Sequence, residues 1–307
     1  MKIKVPVSGI FRVDHLATFS ETPQMYHPSR GQLIRALLPF VRQAGDAAMA
    51  QWRGVSQTMI KPDGSPVTAA DLECNSILCG ACARLAAHIP VLSEENCALP
   101  PSVEDQVFVI DPIDGTKEFI AGRKDFTINI ALIEKGIPTG AVIYAPAHHR
   151  LFYCEGQGLA FEEDRKGHCR LLPSLVKSGE ALRVVVSRSH LDERTRQLLS
   201  KLAPSSVQQV GSSLKFALIA TGEADFYPRL SPTMIWDCAA GQALISAVGG
   251  IVLRPNGEHL RCDSGRGTMV DGFMASASEE FALVAANILR SMPMSPVSAS
   301  RASSASG

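Results

Sequence analysis

A chain of 307 residues can bury a large core as one long domain or two fused ones, and 46% hydrophobic with 20% charged residues is ordinary for a globular protein. Thirty Lys and Arg balance thirty Asp and Glu, so a nucleic-acid polymer is not an expected partner, whereas a small polyanion met by local cations or a bound metal is. No apolar run reaches the roughly 18 residues of a membrane span, and no apolar signal core follows the N-terminus, which argues against a transmembrane segment and against secretion.

Residues 1–30 carry no periodicity and are read as an N-terminal extension. Over residues 32–53, Leu33, Leu37, Val41, Ala44 and Ala48 keep a helical spacing. Asp63-Gly-Ser-Pro66 is a turn, after which Thr68 caps a second helix running to about His88, with Asp71 at its third position. An acid there has an ordinary explanation as a capping-box or dipole residue. Cys79-x-x-Cys82 lies in that helix and is the only close pair among eight scattered cysteines. It therefore reads as buried helix thiols of a reducing cytoplasm rather than a zinc or redox centre. Ile89 to Asn96 is a short strand ending in two acids, Glu94 and Glu95.

The next apolar run, Val107-Phe-Val-Ile110, reads as a buried strand that ends at Asp111-Pro-Ile-Asp-Gly-Thr116. Pro112 extends Asp111, Gly115 frees the turn, and Thr116 is placed to cap a helix starting at Lys117. Asp-Pro and Asp-Gly are common turn makers. Here, however, two carboxylates follow a strand and precede a helix N-terminus, an arrangement suited to a hard cation and a phosphate. If the strands before Glu94 and Asp111 are parallel neighbours, their acidic ends meet.

Phe126–Ile133, Gly140–Tyr144 and Leu151–Cys154 read as three further strands, and residues 155–180 as a polar, irregular divider. Beyond it strands and helices alternate: strands at 182–186, 207–210 and 224–227, helices at 192–202, 213–221 and 235–248, an order that argues for an α/β layer. Residues 31–180 thus form a first, metal-binding half and 181–290 a second, α/β half, with a disordered Ser-rich tail at 291–307. Asp237 opens the last helix, and the small residues after it predict close packing that sets its carboxylate at depth, where it needs a cation. Ser187-Arg-Ser-His190, Gly211-Ser-Ser-Leu-Lys215 and Tyr227-Pro-Arg229 each follow a strand. Singly they are loops or caps; together they bring Arg188, Lys215 and Arg229 to one end of a sheet, where ligands of open α/β sheets bind, and suit a second anionic group.

Ser93-Glu94-Glu95, Asp111-Pro-Ile-Asp-Gly-Thr116 and Trp236-Asp237 resemble the signature set of the Mg²⁺-dependent, lithium-sensitive inositol monophosphatase superfamily. Pro66-Val-Thr-Ala-Ala-Asp71, Asp114-Gly-Thr-Lys-Glu-Phe119 and the three second-half clusters bring the chain nearest to its CysQ-type 3'(2'),5'-bisphosphate nucleotidase branch. The resemblance covers roughly residues 33 to 275; Cys238 stands where that branch has threonine. It implies an α/β (α+β) fold, a layered α-β-α-β-α sandwich with the site between the halves. It also implies two or three Mg²⁺ ions on Glu94, Asp111, the Ile113 carbonyl, Asp114 and Asp237. Asp71 and Thr116 then look like the pair that activates the attacking water, and since a threonine is too weak a base, Asp71 must carry the basicity. The scissile phosphate would lie against Glu94, Ile113, Asp114, Gly115, Thr116 and Asp237. Ser187, His190, Ser212, Lys215 and Arg229 look like contacts to adenosine and its retained 5'-phosphate.

The implied reaction is removal of the 3'-phosphate from 3'-phosphoadenosine 5'-phosphate, or from its 5'-phosphosulfate, giving AMP and phosphate in sulfate assimilation. An inositol- or sugar-phosphate phosphatase is the alternative enzyme. A non-catalytic Mg²⁺ and nucleotide-binding regulator is disfavoured because Asp71, Thr116 and all four acids are present. The chain is expected as a cytoplasmic monomer or homodimer, free or at the inner face of the membrane, with a small-molecule substrate as its partner.

Overall fold

The computed structural model describes residues 28–54, 58–96, 106–174, 181–262 and 267–293. Residues 1–27 of the expected extension, Cys97, and the tail from residue 294 lie outside the described residues. Helix α1 (Arg30–Gln51) starts from a reciprocal Ser29–Gln32 capping box and buries the predicted stripe, Leu33, Leu37, Val41, Ala44 and Ala48. A hairpin of β1 (Thr58–Ile60) and β2 (Pro66–Thr68) leads into α2 (Ala69–Leu85). Cys79 and Cys82 sit on α2 as free thiols, Cys82 buried and Cys79 half-buried, as the helical reading expects.

The first sheet holds β3 (Val91–Ser93), β4 (Gln106–Asp114), β5 (Thr127–Glu134), β6 (Ile137–Ala145), β7 (Arg150–Cys154), β8 (Ala160–Glu163) and β9 (Cys169–Leu171) in chain order, with the short α3 (Thr116–Ile120) between β4 and β5. Strands β3 and β4 pair in parallel, as the acid-convergence argument required, and the rest pair antiparallel. Both faces are covered, which is why the strands read as unbroken apolar runs. Phe108, Ile110, Ile128, Ile130 and Val142 pack towards α1 and α2, while Val107, Val109, Ala131, Ile133 and Ile143 point the other way.

Residues 155–174, the described part of the expected divider, correct the irregular reading. They contain β8 and β9, which extend the sheet, and β8 carries ion-paired glutamates on both of its faces. Glu162 meets Arg150 and Arg170, and Glu163 meets Arg42. With those positions charged, no hydrophobic alternation marked the strands.

The second sheet has the order β11-β10-β12-β16-β14, from β10 (Arg183–Ser187), β11 (Ser206–Val210), β12 (Phe226–Arg229), β14 (Ile251–Leu253) and β16 (Phe273–Ser276). A small pair, β13 (Thr233–Met234) and β15 (Met269–Val270), lies apart from it. The predicted helices are α4 (Glu193–Leu202), α5 (Leu214–Ala220) and α6 (Ile235–Ala247); α7 (Glu279–Ser291) completes the fold. Helices α5 and α6 fill the space between the two sheets, and α4 and α7 cover the outer face of the second. The layers run α1/α2, sheet, α5/α6, sheet, α4/α7: the expected α-β-α-β-α sandwich.

The small residues of α6 have a measurable purpose. A Cβ on Gly241 would stand 2.1 Å from the Phe216 ring of α5, so only glycine lets the two central helices close up. Gly241→Ala is expected to cost about 2–3 kcal/mol by overpacking, a fall of roughly 5–10 °C in Tm for a chain of this size. An unchanged melting curve would contradict this contact.

Candidate active site

Two acids three positions apart on a regular strand point to opposite faces. Strand β4 avoids this, because its pairing with β5 slips between Asp111 and Asp114, three residues on β4 spanning two on β5. The bulge turns both carboxylates to one side. The strand therefore runs through Asp114 instead of ending at Asp111 as its sequence suggests. Asp237, on the first turn of α6, arrives from the other half, and one oxygen from each of Asp111, Asp114 and Asp237 lies within 4.8 Å of the others. They sit in the wall of a cavity of about 850 Å³ that Glu94, Ile113, Gly115 and Thr116 also line.

The electrostatics of this corner ask for a cation. Burial, with repulsion from Glu94 and the other acids, raises the Asp111 carboxyl well above its usual range, and its Oδ1 is buried with no hydrogen-bond donor among the described residues. Burial and Asp237 push Asp114 up to about 6. Clustered carboxylates with an orphaned oxygen are a donor set that a hard divalent cation fits. Asp237 is half-buried at the wall, less deep than its helix packing suggested, and Thr233 Oγ1 and the Met234 N–H donate to its Oδ2.

Glu94 lines the same cavity beside this trio, and Lys61 of the β1–β2 turn reaches its Oε1 at 2.7 Å and that of Glu95 at 2.7 Å. Burial lifts the Glu94 carboxyl to about 7 despite that partner. The role of Lys61 was not legible, since a lysine beside an Asp-Gly turn is an ordinary surface residue.

Asp71 and Thr116 meet as expected. The Thr116 hydroxyl is 3.2 Å from Asp71 Oδ1 and 3.2 Å from the Ile113 carbonyl, and its one proton serves either. The other carboxylate oxygen, Oδ2, accepts from the Thr68 N–H at 2.8 Å and its hydroxyl at 2.5 Å. Asp71 therefore closes the capping box with one oxygen and meets the Thr116 hydroxyl with the other. Burial raises its pKa. Thr116 is the first residue of α3 and not its cap; Gly115 holds that position with φ 90°.

Ser187, His190, Ser212, Lys215 and Arg229 all line the cavity, so the three clusters of the second half do converge. Arg188 does not join them: its guanidinium turns aside to Asp125 at 2.6 Å. Lys215 is buried, donates to the Val210 and Ser212 carbonyls and lies 4.9 Å from the Tyr227 ring centre; burial brings its pKa down to about 8. Ser212 adopts a left-handed backbone, φ 51°, unusual for a serine and common where function requires it. Its neighbour Ser213 was missed and is the better-connected residue. Its hydroxyl bridges Asp114 Oδ2 at 2.6 Å and the Asp237 carbonyl at 3.0 Å, and the Asn129 amide donates to it at 3.0 Å. Cys238, in place of threonine, is buried and its thiol bonds back into its own helix turn.

The inositol monophosphatase family model matches residues 30–292. The 3'(2'),5'-bisphosphate nucleotidase CysQ of Shigella flexneri is 40% identical over 227 residues, 72% of this chain and 89% of that protein. The protein of the same name from Buchnera aphidicola is 37% identical over 254 residues, 80% and 94% of the two chains. Among solved structures, CysQ from Bacteroides thetaiotaomicron, described as a bacterial member of the inositol monophosphatase family, superposes with a TM-score of 0.66 at 28% identity, over 79% of this chain and 96% of that one. The extragenic suppressor protein suhB of Bartonella henselae shares the fold, with a TM-score of 0.70 at 24% identity over 85% and 99%. The matched span opens with α1 and closes with α7, taking in both sheets and every acid of the cavity, and on that ground the chain belongs to the inositol monophosphatase family.

Proposed function

We infer that this chain is a Mg²⁺-dependent 3'(2'),5'-bisphosphate nucleotidase that converts 3'-phosphoadenosine 5'-phosphate to AMP and phosphate, clearing the nucleotide by-product of sulfate assimilation. The observation that carries the reading is one cavity that brings an acidic cluster and a cationic cluster together. Three converging carboxylates form part of its wall, and Ser187, His190, Ser212, Lys215 and Arg229 line the same cavity, with Lys215 and Arg229 close enough to Asp114 to oppose the rise that burial causes in its pKa. A substrate with two phosphates fits such a cavity. Relatives 37–40% identical over most of their length carry the nucleotidase name.

Asp111, Asp114, Asp237, Glu94 and the Ile113 carbonyl would hold the Mg²⁺, in keeping with a family that is generally metal-dependent. Bound there, it supplies positive charge against the phosphoryl oxygens and acidifies water at the site. The protein's own groups do the rest. Thr116 Oγ1 accepts the proton of the attacking water as its own proton passes to Asp71 Oδ1, 3.2 Å away, and burial, by raising the Asp71 pKa, makes that carboxylate a better acceptor. The Gly115 and Thr116 N–H groups hold phosphate oxygens. Lys215 and Arg229 bind the retained 5'-phosphate.

Phosphate release across a panel tests this, with 3'-phosphoadenosine 5'-phosphate, its sulfated form and inositol 1-phosphate as substrates, Mg²⁺ titrated and lithium as challenger. Faster hydrolysis of inositol 1-phosphate overturns the assignment. In the same panel Lys215→Ala is expected to raise KM for the bisphosphate roughly ten- to a hundredfold, the worth of one charge-assisted hydrogen bond. An equal rise for a singly phosphorylated substrate removes Lys215 from that role.

A further inference from the structure

Between Ser187 and His190 stand two residues, Arg188 and Ser189, whose side chains turn towards the first half of the molecule. Arg188 Nη2 bonds Asp125 Oδ2 at 2.6 Å, and the Ser189 hydroxyl donates to Glu118 Oε1 at 2.9 Å. Asp125 is itself gripped from behind by His148 Nε2 at 2.9 Å. Glu118 is buried on α3, only two positions past Thr116. The same guanidinium donates to the Gln209 carbonyl at 3.1 Å, and the Arg188 N–H to the Val210 carbonyl at 3.3 Å, so it also holds the strand entering Gly211-Ser212.

The second loop rests on the same two acids. A Cβ at Gly211 would stand 2.5 Å from the Asp125 carbonyl and 2.8 Å from Glu118 Cγ. Both loops of the cavity's cationic wall are therefore seated on the segment that follows the Asp-Gly-Thr turn. None of these seating residues has a place in the chemistry above.

We propose that Glu118 and Asp125 form a platform, locked by Arg188 and Ser189, that positions the 187–190 loop and the 211–213 turn leading into α5 and so sets affinity for the nucleoside part of the substrate. Arg188 and Asp125 are positioning residues: neither touches substrate, and each acts through the loops. The physical case is the cost of ordering. Two surface loops left free would have to be fixed on binding, and an ion pair made before the ligand arrives removes that cost from the affinity. The platform follows the acidic turn in the chain, so the two loops are tied by side chains to the segment that carries Thr116. This inference deepens the nucleotidase reading and rests on it.

The test uses the full chain with Mg²⁺ and compares two substrates, 3'-phosphoadenosine 5'-phosphate and glycerol 2-phosphate, which lacks a nucleoside. Arg188→Ala and Asp125→Asn are each expected to raise KM for the nucleotide about tenfold with kcat nearly unchanged, and to leave glycerol 2-phosphate turnover as in the parent protein. The double variant is expected to match the single ones, because both break one pair. Asp125→Glu, which keeps the charge, should recover part of the loss. A nucleotide KM unchanged in both single variants, or a fall in Tm with no change in the KM ratio, overturns the proposal and leaves a purely structural ion pair. So does a loss confined to Arg188→Ala, which would make Arg188 a direct contact. Preference of the unmutated protein for inositol 1-phosphate would instead fail the nucleotidase reading, a separate result seen before any variant is made.

Discussion

Asp114→Asn is expected to lower kcat by about a thousandfold or more, roughly 4 kcal/mol of transition-state stabilisation, with the fold intact. The variant keeps the size of the side chain and an oxygen for Ser213 to donate to, and removes only the charge. Its effect on stability has a sign that turnover alone does not show. Burial and Asp237 raise the Asp114 pKa from 3.8 to about 6. A raised acid stabilises the fold fully below its unfolded pKa, and that contribution is lost as pH rises through the folded value. Between pH 4 and 6 the metal-free protein therefore gives up stability that the variant keeps. At pH 7 without Mg²⁺, Asp114→Asn is expected to melt no lower than its parent. With Mg²⁺ the order reverses, because a cation bound only by the native state raises the Tm of the parent. Thermal denaturation with and without the ion measures both. A Mg²⁺-induced rise as large in the variant as in the parent would remove Asp114 from the metal set.

Asp71→Asn is expected to cost a hundred- to ten-thousandfold in kcat, the usual span for removing a general base. Here the two readouts part company. Asp71 hydrogen-bonds Thr116 and Thr68 and stands outside the three-carboxylate corner, so the Mg²⁺-induced rise in Tm should survive. The amide can still accept from the Thr68 N–H and donate to Thr116, which preserves the helix cap but leaves nothing to take a proton. Thr116→Ser keeps a hydroxyl on the same Cβ and should retain much of the rate. Wild-type kcat in Asp71→Asn would show that the proton leaves by another route.

How much of this was legible differs by element. The helices α1, α2, α4, α5 and α6 were each visible because their caps and apolar spacing are local, a matter of neighbours three and four apart. Strands β8 and β9 were invisible because charged residues, Glu162 and Glu163 on the first and Arg170 on the second, break the apolar alternation. The acids at the ends of β3 and β4 were readable from turn chemistry, but the parallel pairing that joins them was only a condition in the sequence, which the structure meets. Ser213 was passed over for Ser212, since nothing in Gly-Ser-Ser tells which hydroxyl faces the acids. Arg188 was grouped with Lys215 and Arg229 because all three sit beyond strand ends, yet its partner Asp125 is 63 residues earlier in the chain.

What the sequence determined by itself is most of the helices and the long central strands, the placing of acids and cations at strand ends, and through its motifs the family. Those depend on interactions within a few residues of chain, and the alphabet records them directly. Which side chains face each other was decided by the tertiary structure: the bulge that turns Asp111 and Asp114 together, the closure of Gly241 on Phe216 that brings Asp237 to the wall, the lysine laid across Glu94 and Glu95. A side chain's direction depends on the register of its strand and on the packing of layers above and below it, and partners a hundred residues apart leave no local trace of having met.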